Sequence, residues 1–349
     1  MSSQVLTKRP VKAESEQLLG KPLKRKEDLR LLTGKSRFVD DIKFPGMLHA
    51  SVLRSSYAHA RIKRVDYSKA LELPGVRLCL ASKDLPKSAL LPTMENQDGT
   101  KVERGVLASD EVSFVGEPVV FVVADSKHEA EDALEHVVVE YEPLPAVSDP
   151  ASALNDSGPR THIALKSNAV LKEIVEQGEL ELAFQKASKI VKLDLVNQRL
   201  APAPLEPRAL IAAFDEALQI LNVWISTQGP FQNRSDLADI LWLPENSLRV
   251  FAPDVGGGFG AKLSTYPEDV LVCLAAMRLR RPVKWIENRS ENFLGMTHGR
   301  GQLQHVELAS TEKGRILGLK VNLIGDAGAY LTEGSSDATF TLKMAPGQY

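Results

Sequence analysis

The sequence predicts an α+β fold, because segments typical of strands and of short helices follow one another irregularly along the chain. Apolar and polar residues alternate over residues 48–54, which predicts a strand with one buried face. An unbroken apolar run over residues 118–124 predicts a strand buried on both faces. Residues 127–136 carry apolar side chains at helical spacing, and a further strand is predicted directly afterwards, at residues 137–142.

The remaining elements follow from the same two periodicities. Further strands are predicted at residues 75–80, 190–196, 218–226, 248–251 and 283–286, with a hairpin whose arms lie at residues 303–309 and 316–324. Short helices are predicted at residues 27–32, 178–187 and 288–295, and a helix-like segment ends at Leu241. A Thr265-x-x-Glu268 capping box predicts the start of a buried helix that continues through residues 270–277. Residues 86–105 and 201–209 are rich in turn formers or proline and are predicted as loops.

The composition is that of an ordinary globular chain and excludes some classes of function. The 349 residues are 43% hydrophobic and 25% charged with a formal net charge of −2, so nothing indicates nucleic-acid binding. Cys79 and Cys273, the only cysteines, lie in apolar runs and are predicted to be buried free thiols. Histidine and cysteine do not cluster, so no metal bound directly by side chains is predicted. The polar start and the lack of a long apolar segment predict a cytoplasmic protein without a membrane span.

Turn-forming residues divide the chain into two predicted domains. Residues 1–19 are predicted to be a flexible leader, and residues 20–146 a first α+β domain. Residues 147–164 are rich in proline, asparagine, aspartate and glycine and are predicted to be a linker. Residues 165–349 then form a second domain.

The most distinctive segment is Asp254-Val-Gly-Gly-Gly-Phe-Gly-Ala-Lys262, in which four of five consecutive positions are glycine. Such a run lets backbone N–H groups approach a bound anion closely and form an anion-binding nest, and Lys262 lies at its end. A predicted strand precedes the run and a predicted helix follows it. This arrangement suits a loop that holds a phosphate-bearing cofactor.

Three interpretations of this loop compete. The nucleotide P-loop pattern fails, because Ala261 precedes the lysine and Leu263 follows it. The Rossmann fingerprint is matched formally by Gly256-x-Gly258-x-x-Ala261, although no βαβ unit surrounds it. The third interpretation is a glycine-rich turn that only allows close packing.

The order of motifs around the loop resembles a known family. Ser226-Thr-Gln-Gly-Pro230, Leu243-Pro-Glu245, a strand and then the glycine loop resemble the large subunit of molybdenum hydroxylases. That family contains xanthine dehydrogenase, aldehyde oxidoreductase and aerobic carbon monoxide dehydrogenase. Within residues 20–146, Val115-Gly-Glu-Pro118 is among the segments that resemble the family's α/β-hammerhead domain. The resemblance therefore implies a hammerhead domain followed by the first part of a molybdenum-cofactor-binding domain.

The resemblance implies a molybdenum–molybdopterin cofactor in its cytosine dinucleotide form. By position, Gln228 corresponds to the glutamine that hydrogen-bonds an oxygen ligand of molybdenum, while Gly257, Gly258, Phe259 and Gly260 correspond to the loop that approaches the metal ligands. No side chain of the family ligates the metal directly. The implied reaction is hydroxylation of an aldehyde, an N-heteroaromatic compound or carbon monoxide with oxygen from water.

Two departures from the family pattern affect the predicted activity. Leu263 stands where purine-oxidising members often carry a glutamate, which argues against a purine substrate. The family's general-base glutamate is expected beyond Tyr349, so no catalytic base is assigned to Glu206, Glu268 or Glu333. The chain is therefore expected to be inactive alone and to need the remainder of the large subunit.

The resemblance also implies partners that receive the electrons. They are an iron–sulfur small subunit with [2Fe-2S] clusters and a medium subunit that binds FAD, because this chain has no cysteine framework for clusters. Two alternatives stay open. One is a non-catalytic module that binds a pterin or a nucleotide, or that serves assembly. The other is an unrelated dinucleotide-binding protein.

Overall fold

A computed structural model describes residues 18–332, 337–345 and 347 of the chain. Contacts divide it into two compact units, Met1–Arg37 and Phe38–Tyr349. The described part of the first unit carries one helix, Asp28–Leu32 (α1), close to its predicted position. Most of the predicted leader lies outside the described residues, as do Glu333 and Tyr349.

Mixed strands and helices confirm the predicted α+β class. In chain order the described strands are Leu48–Arg54 (β1), Ala60–Asp66 (β2), Val76–Ala81 (β3), Leu90–Leu91 (β4), Arg104–Gly105 (β5), Glu111–Val112 (β6), Pro118–Ala124 (β7), Val138–Pro143 (β8), Lys189–Asn197 (β9), Ala209–Asp215 (β10), Ile220–Ile225 (β11), Leu248–Phe251 (β12), Val283–Ile286 (β13), Gln302–Ser310 (β14) and Ile316–Gly325 (β15). The other described α-helices are Ser68–Leu71 (α2), Lys127–Leu134 (α3), Pro150–Ala153 (α4), Leu180–Gln185 (α5), Pro230–Leu241 (α6), Pro267–Leu279 (α7), Arg289–Gly295 (α8) and Asp337–Met344 (α9).

The largest sheet contains seven strands in the order β12-β11-β10-β13-β1-β7-β3. Its centre joins the two predicted domains, because β1 pairs in parallel with β13 through Leu48 and Val283. On its other side β1 pairs antiparallel with β7. The division into domains at residues 147–164 stays a prediction, since both predicted domains supply strands to this one sheet.

The main hydrophobic core lies between this sheet and helix α7. Every residue of β7 is buried, as its unbroken apolar sequence predicts. Phe121 of β7, Leu210 of β10, Leu271 of α7 and Trp285 of β13 belong to one buried cluster. Cys79 and Cys273 are buried free thiols, which confirms that prediction. The glycine loop described below is therefore attached to a closely packed support.

Three smaller sheets complete the described fold, in the orders β15-β14-β9, β6-β2-β8 and β4-β5. The first contains the predicted hairpin, in which Val306 of β14 faces Val321 of β15. The second pairs β2 with β8. Among the residues described, no helix combines the length and apolarity needed to cross a bilayer.

Two predictions about local structure are wrong. Residues 86–105 are not wholly a surface loop, since β4 pairs with β5 and Leu91 is buried. Thr265 and Glu268 do not form the capping box of α7. The helix begins one residue later, where the Asp269 carboxylate accepts a hydrogen bond from the Tyr266 N–H at 2.8 Å. The Thr265 hydroxyl instead donates to Asp236 at 2.8 Å, because α6 packs beside α7 and offers a nearer acceptor.

Candidate functional site

The glycine loop connects the end of β12 to the start of α7. Gly257 and Gly260 have φ angles of 98° and 89°, a region that glycine enters without steric cost. Phe259 lies between them with a φ of 53°, which is unusual for a residue with a side chain. Backbone strain of this kind costs about 1–3 kcal/mol and is concentrated at functional sites.

Gln228 packs directly against the loop. Its Oε1 atom accepts hydrogen bonds from the Gly260 N–H at 3.0 Å and from the Lys262 N–H at 3.3 Å. A Cβ atom on Gly258 would lie only 2.3 Å from that same Oε1. Glycine is therefore required at position 258, because any side chain would displace the Gln228 amide.

These contacts fix the orientation of the Gln228 amide. Two backbone N–H donors on one side identify the atom between them as the oxygen. The Nε2 group then points to the exposed side, and within residues 18–332, 337–345 and 347 no acceptor is found for it. Gln228 can therefore offer two neutral N–H donors to a bound group.

The outer side of the loop, where Gln228, Phe259 and Gly260 are exposed, lies next to further backbone donors. The N–H groups of Gly257, Gly258 and Phe259 have no acceptor among the residues that the structure describes. Three consecutive N–H groups that lack an acceptor in the described ranges, next to the Gln228 amide, fit a polar or anionic ligand. This side of the loop therefore suits the oxygen-rich groups of a phosphorylated cofactor.

Exposed apolar side chains surround these donors. The Phe259 side chain folds back over Gly257, where a Cβ atom would lie 2.9 Å from the ring, yet Phe259 remains 74% exposed. Leu205 is 93% exposed and Phe231 79% exposed on neighbouring segments. A strained, exposed aromatic residue next to unpaired donors is typical of a ligand-binding surface.

Lys262, at the end of the glycine run, faces the inner side of the loop and not the outer surface. Its side chain is fully buried. The ammonium donates to the Glu206 carbonyl at 2.7 Å, to Ser226 Oγ at 2.8 Å and to Glu206 Oε2 at 3.1 Å. Burial lowers the pKa of Lys262, and the Glu206 carboxylate opposes that shift. All three ammonium hydrogens have acceptors on the inner side of the loop.

A buried ionic cluster lies next to this region. Arg208 donates to Glu268 at 2.8 Å and to Glu287 at 2.6 Å, and Arg54 of β1 reaches Glu268 at 2.7 Å. The Arg208 guanidinium also stacks on Tyr266 at 3.9 Å. Burial alone would raise the pKa of Glu268, but the charges of Arg208 and Arg54 hold it at about 2. The cluster connects β1, the segment before β10, α7 and the segment after β13.

The five predicted cofactor-binding residues lie together: Gln228, Phe259 and Gly260 are exposed, Gly257 packs under the Phe259 ring, and Gly258 is buried against the Gln228 amide. Among the carboxylates left unassigned from the sequence, Glu206 and Glu268 are bound internally, and Glu333 is outside the described residues. No group of three His, Cys, Asp or Glu side chains suited to a metal is found in the described part of the chain.

Sequence reasoning missed the inner contacts of Lys262 and the role of Arg208. One available signal was the position of Arg208 immediately before the apolar run of β10, where a charge must be paired.

Two family models match the chain. Residues 162–349 match a molybdopterin cofactor-binding domain. Residues 33–145 match the a/b hammerhead domain of aldehyde oxidase and xanthine dehydrogenase. The matched regions correspond to the two predicted folds in the predicted order.

Curated relatives are large subunits of oxidoreductases. The chain is 38% identical over 315 residues to the nicotine 6-hydroxylase large subunit of Paenarthrobacter nicotinovorans. This matched region covers 90% of this chain and 38% of the relative. It is 37% identical over 334 residues to the carbon monoxide dehydrogenase large chain of Afipia carboxidovorans, covering 91% of this chain and 41% of the relative.

A solved structure supports the same assignment. Quinoline 2-oxidoreductase from Pseudomonas putida 86 superposes with a TM-score of 0.84 and 40% identity, over 88% of this chain and 39% of that one. The chain thus spans about two fifths of the length of the relatives that it matches.

Proposed function

This chain belongs to the molybdopterin cofactor-binding family that includes aldehyde oxidase and xanthine dehydrogenase, and we propose that it holds its cofactor on the outer side of the glycine loop. Gln228, Gly257, Gly258, Phe259 and Gly260 form the proposed contact surface. The observation that carries the proposal is a set of donors at the loop for which the described part of the chain supplies no acceptor, namely Gln228 Nε2 and the N–H groups of residues 257–259. The cytosine dinucleotide form of the cofactor is part of the proposal.

The chain's own residues would bind and orient the cofactor. Gln228 Nε2 donates to a cofactor oxygen without adding charge, and its Oε1 is already held by the Gly260 N–H. Phe259 covers the bound group and excludes water from it. Membership of the family implies that the bound molybdenum centre supplies a two-electron oxidation with oxygen taken from water.

The proposed activity is hydroxylation of a small substrate by a larger enzyme that contains this chain. Relatives are named for nicotine, quinoline and carbon monoxide. Exposed Leu205, Phe231 and Leu263 give the region around the loop an apolar character. We therefore favour an N-heteroaromatic compound as the substrate, ahead of an aldehyde or carbon monoxide.

The proposal includes partners. The relatives are named as large subunits or large chains, and electrons would leave through a [2Fe-2S] subunit and an FAD subunit. The cytoplasmic location also remains a proposal. A non-catalytic pterin-binding module is the second candidate, and it is favoured by one observation: the described carboxylates near the loop, Glu206 and Glu268, are both bound internally.

A substitution of Gln228 tests the proposal. The complex is purified from the native host with whatever subunits accompany the chain, and it is assayed with quinoline, benzaldehyde and carbon monoxide in ¹⁸O-labelled water. Gln228→Ala is expected to lower the turnover number about 100-fold, as loss of one oriented donor does elsewhere. Gln232→Ala is the matched control, because Gln232 is exposed and bonds only Asp236 among the described residues.

Three results would separate the candidates. Incorporation of ¹⁸O into product, lost in Gln228→Ala and kept in Gln232→Ala, supports the hydroxylase. Bound pterin without oxidation of any of the three substrates supports the non-catalytic module. Equal turnover in both variants contradicts the role of Gln228.

A further inference from the structure

The inner side of the glycine loop is held by an ion pair between the fully buried Lys262 and the mostly buried Glu206. Glu206 Oε2 accepts hydrogen bonds from the Ser226 hydroxyl at 2.6 Å and from the Gly256 N–H at 2.7 Å, besides that from Lys262 at 3.1 Å. The Glu206 N–H donates back to the Gly256 carbonyl at 3.2 Å. Glu206 therefore holds the first residue of the glycine run through both backbone groups.

Lys262 holds the other end of the run. Its carbonyl accepts hydrogen bonds from the Gln228 N–H and from the Thr227 hydroxyl, both at 2.9 Å. Its own N–H donates to Gln228 Oε1 at 3.3 Å. Because the side chain of Lys262 is bound to Glu206 and its backbone to Gln228, the two ends of the loop are connected beneath it.

We infer that Glu206 and Lys262 are positioning residues, which set the loop conformation and the orientation of the Gln228 amide from the inner side. They do so without contact with the outer face, where the cofactor is proposed to bind. The inference rests on the proposed function in that a cofactor is proposed to bind the outer face. The contacts that hold the loop and the Gln228 amide are all made within this chain. It assigns to both residues a role that neither the family pattern nor the sequence indicated.

The energetic reason is that a buried ion pair is expensive to disturb. Removing one partner leaves an uncompensated charge in a region of low dielectric constant. Lys262→Met replaces the lysine by a neutral side chain of similar length. Among the described residues, the Glu206 carboxylate then keeps only the neutral donors of Ser226 and Gly256. The carboxylate then favours conformations that admit water, and these separate it from the loop.

A matched control is present in the same chain. Lys284 on β13 is also buried, and its ammonium donates to the Asp40 carbonyl at 2.6 Å and contacts the Asp40 carboxylate at 2.7 Å. It resembles Lys262 in burial and partners but has no contact with the loop among the described residues. Lys284→Met therefore reports the general cost of losing a buried lysine.

The test is hydrogen–deuterium exchange on the native complex and its variants, all prepared from cultures without molybdate so that cofactor loading does not differ. In Lys262→Met, the Gly256 and Gly260 amides are expected to exchange at least about tenfold faster than in the wild type, since their acceptors, Glu206 Oε2 and Gln228 Oε1, are no longer held in place. Lys284→Met should leave both amides unchanged. Equal exchange of the loop amides in Lys262→Met and the wild type overturns the inference.

A graded series at Glu206 keeps the inference testable if Lys262→Met does not fold. Glu206→Gln retains an oxygen acceptor for the Gly256 N–H, whereas Glu206→Ala removes it. Exchange at Gly256 should therefore rise in the order wild type, Glu206→Gln, Glu206→Ala. The same exchange rate in Glu206→Ala as in the wild type contradicts a positioning role.

Molybdenum content distinguishes this inference from the proposed function. In cultures supplied with molybdate, Lys262→Met is expected to retain less than half of the wild-type molybdenum after gel filtration, and Lys284→Met the full amount. Faster loop exchange with no molybdenum in any preparation supports the positioning role and contradicts the proposed function. If loop exchange in Lys262→Met equals that of a wild type that binds molybdenum, the proposed function is supported and the positioning role is contradicted.

Discussion

The polar groups on the two sides of the glycine loop differ in whether they have hydrogen-bond partners within the described residues. On the inner side, the Lys262 ammonium has an acceptor for each hydrogen, and the nearby Arg208 is paired with Glu268 and Glu287. On the outer side, the Gln228 amide nitrogen and three successive N–H groups have no acceptor in the described part of the chain. Saturated polar contacts give rigidity, whereas unsaturated ones give a surface that can bind.

The difference also concerns backbone strain. The exposed Phe259 has a φ of 53°, and a residue in this region persists only when its surroundings determine it. The hydrogen bonds of Glu206 and Lys262 on the inner side hold the loop in this conformation. A run of glycines, which would be flexible alone, therefore becomes a defined surface because charged residues are buried behind it.

Breaking the inner side at Arg208 should have the largest effect on stability. Arg208→Met leaves Glu287 buried without its ionic partner and Glu268 with only Arg54. We expect the free energy of unfolding to fall by about 3–5 kcal/mol, measured by urea denaturation. The control is Arg64→Met, which removes an exposed pair with Asp66 and should cost at most about 1 kcal/mol. A loss as small as the control's would show that the cluster is not a stabilising element.

The buried carboxyl groups should give the inner side a pH dependence. Burial raises the pKa of Asp269 from 3.8 to about 7. The folded state then binds the Asp269 proton more tightly than the unfolded state does, so protonation of Asp269 stabilises the fold. This stabilisation is complete below pH 3.8 and disappears as the pH rises to about 7. Glu268 acts in the opposite direction, because its pKa is held at about 2 and its contribution is lost below pH 4.5.

Asp269→Asn isolates the first of these effects. The asparagine oxygen can still accept the hydrogen bond from the Tyr266 N–H. Denaturation curves of the wild type should show stability falling by up to about 1.4 kcal/mol per pH unit between pH 4 and 7 relative to the variant. A constant difference between the two proteins over that range would contradict the raised pKa.

Crowding the outer side at Gly258 should affect binding more than folding. In Gly258→Ala, the new Cβ atom would lie 2.3 Å from Gln228 Oε1, so the amide must move. We expect the molybdenum content of the purified protein to fall at least about tenfold, with a stability loss of about 1–3 kcal/mol. Gly299→Ala is the control, since Gly299, like Gly258, is not at a positive φ, but its new Cβ atom would lie 3.7 Å from Asp337 Oδ2, an ordinary van der Waals contact. Full molybdenum content in Gly258→Ala would remove the proposed role of the Gln228 amide.

The smallest expected effect concerns the strain at Phe259. Phe259→Ala and Phe259→Gly both remove the ring, but only glycine relieves the positive φ. Phe259→Gly should therefore be more stable than Phe259→Ala by about 1 kcal/mol in thermal denaturation, while both lose turnover equally. Equal stability of the two variants would indicate that the position is not strained.

Much of the fold could be predicted from the sequence. Strands β1, β7, β12 and β13 lie at their predicted residues, because alternation and unbroken apolar runs follow directly from how a sheet is buried. The start of α7 was predicted one residue early, because Thr265 and Glu268 match a capping box in sequence while tertiary contacts claim both side chains.

The candidate site could likewise be predicted only in part from the sequence. The loop and Gln228 could be proposed from the order of their motifs. The direction of Lys262 could not, because its acceptors Ser226 and Glu206 lie 36 and 56 positions earlier in the chain. Long-range contacts of this kind leave no periodic signal.

The most direct test of the account is to locate molybdenum in crystals of the native complex by anomalous X-ray scattering at the molybdenum absorption edge. A peak that is present above the molybdenum edge and absent just below it, which separates molybdenum from the iron of the proposed [2Fe-2S] subunit, is predicted on the outer side of the glycine loop, beside Gln228 Nε2 and the Phe259 ring. A peak elsewhere in the complex, with the outer side of the loop open to solvent, would contradict it.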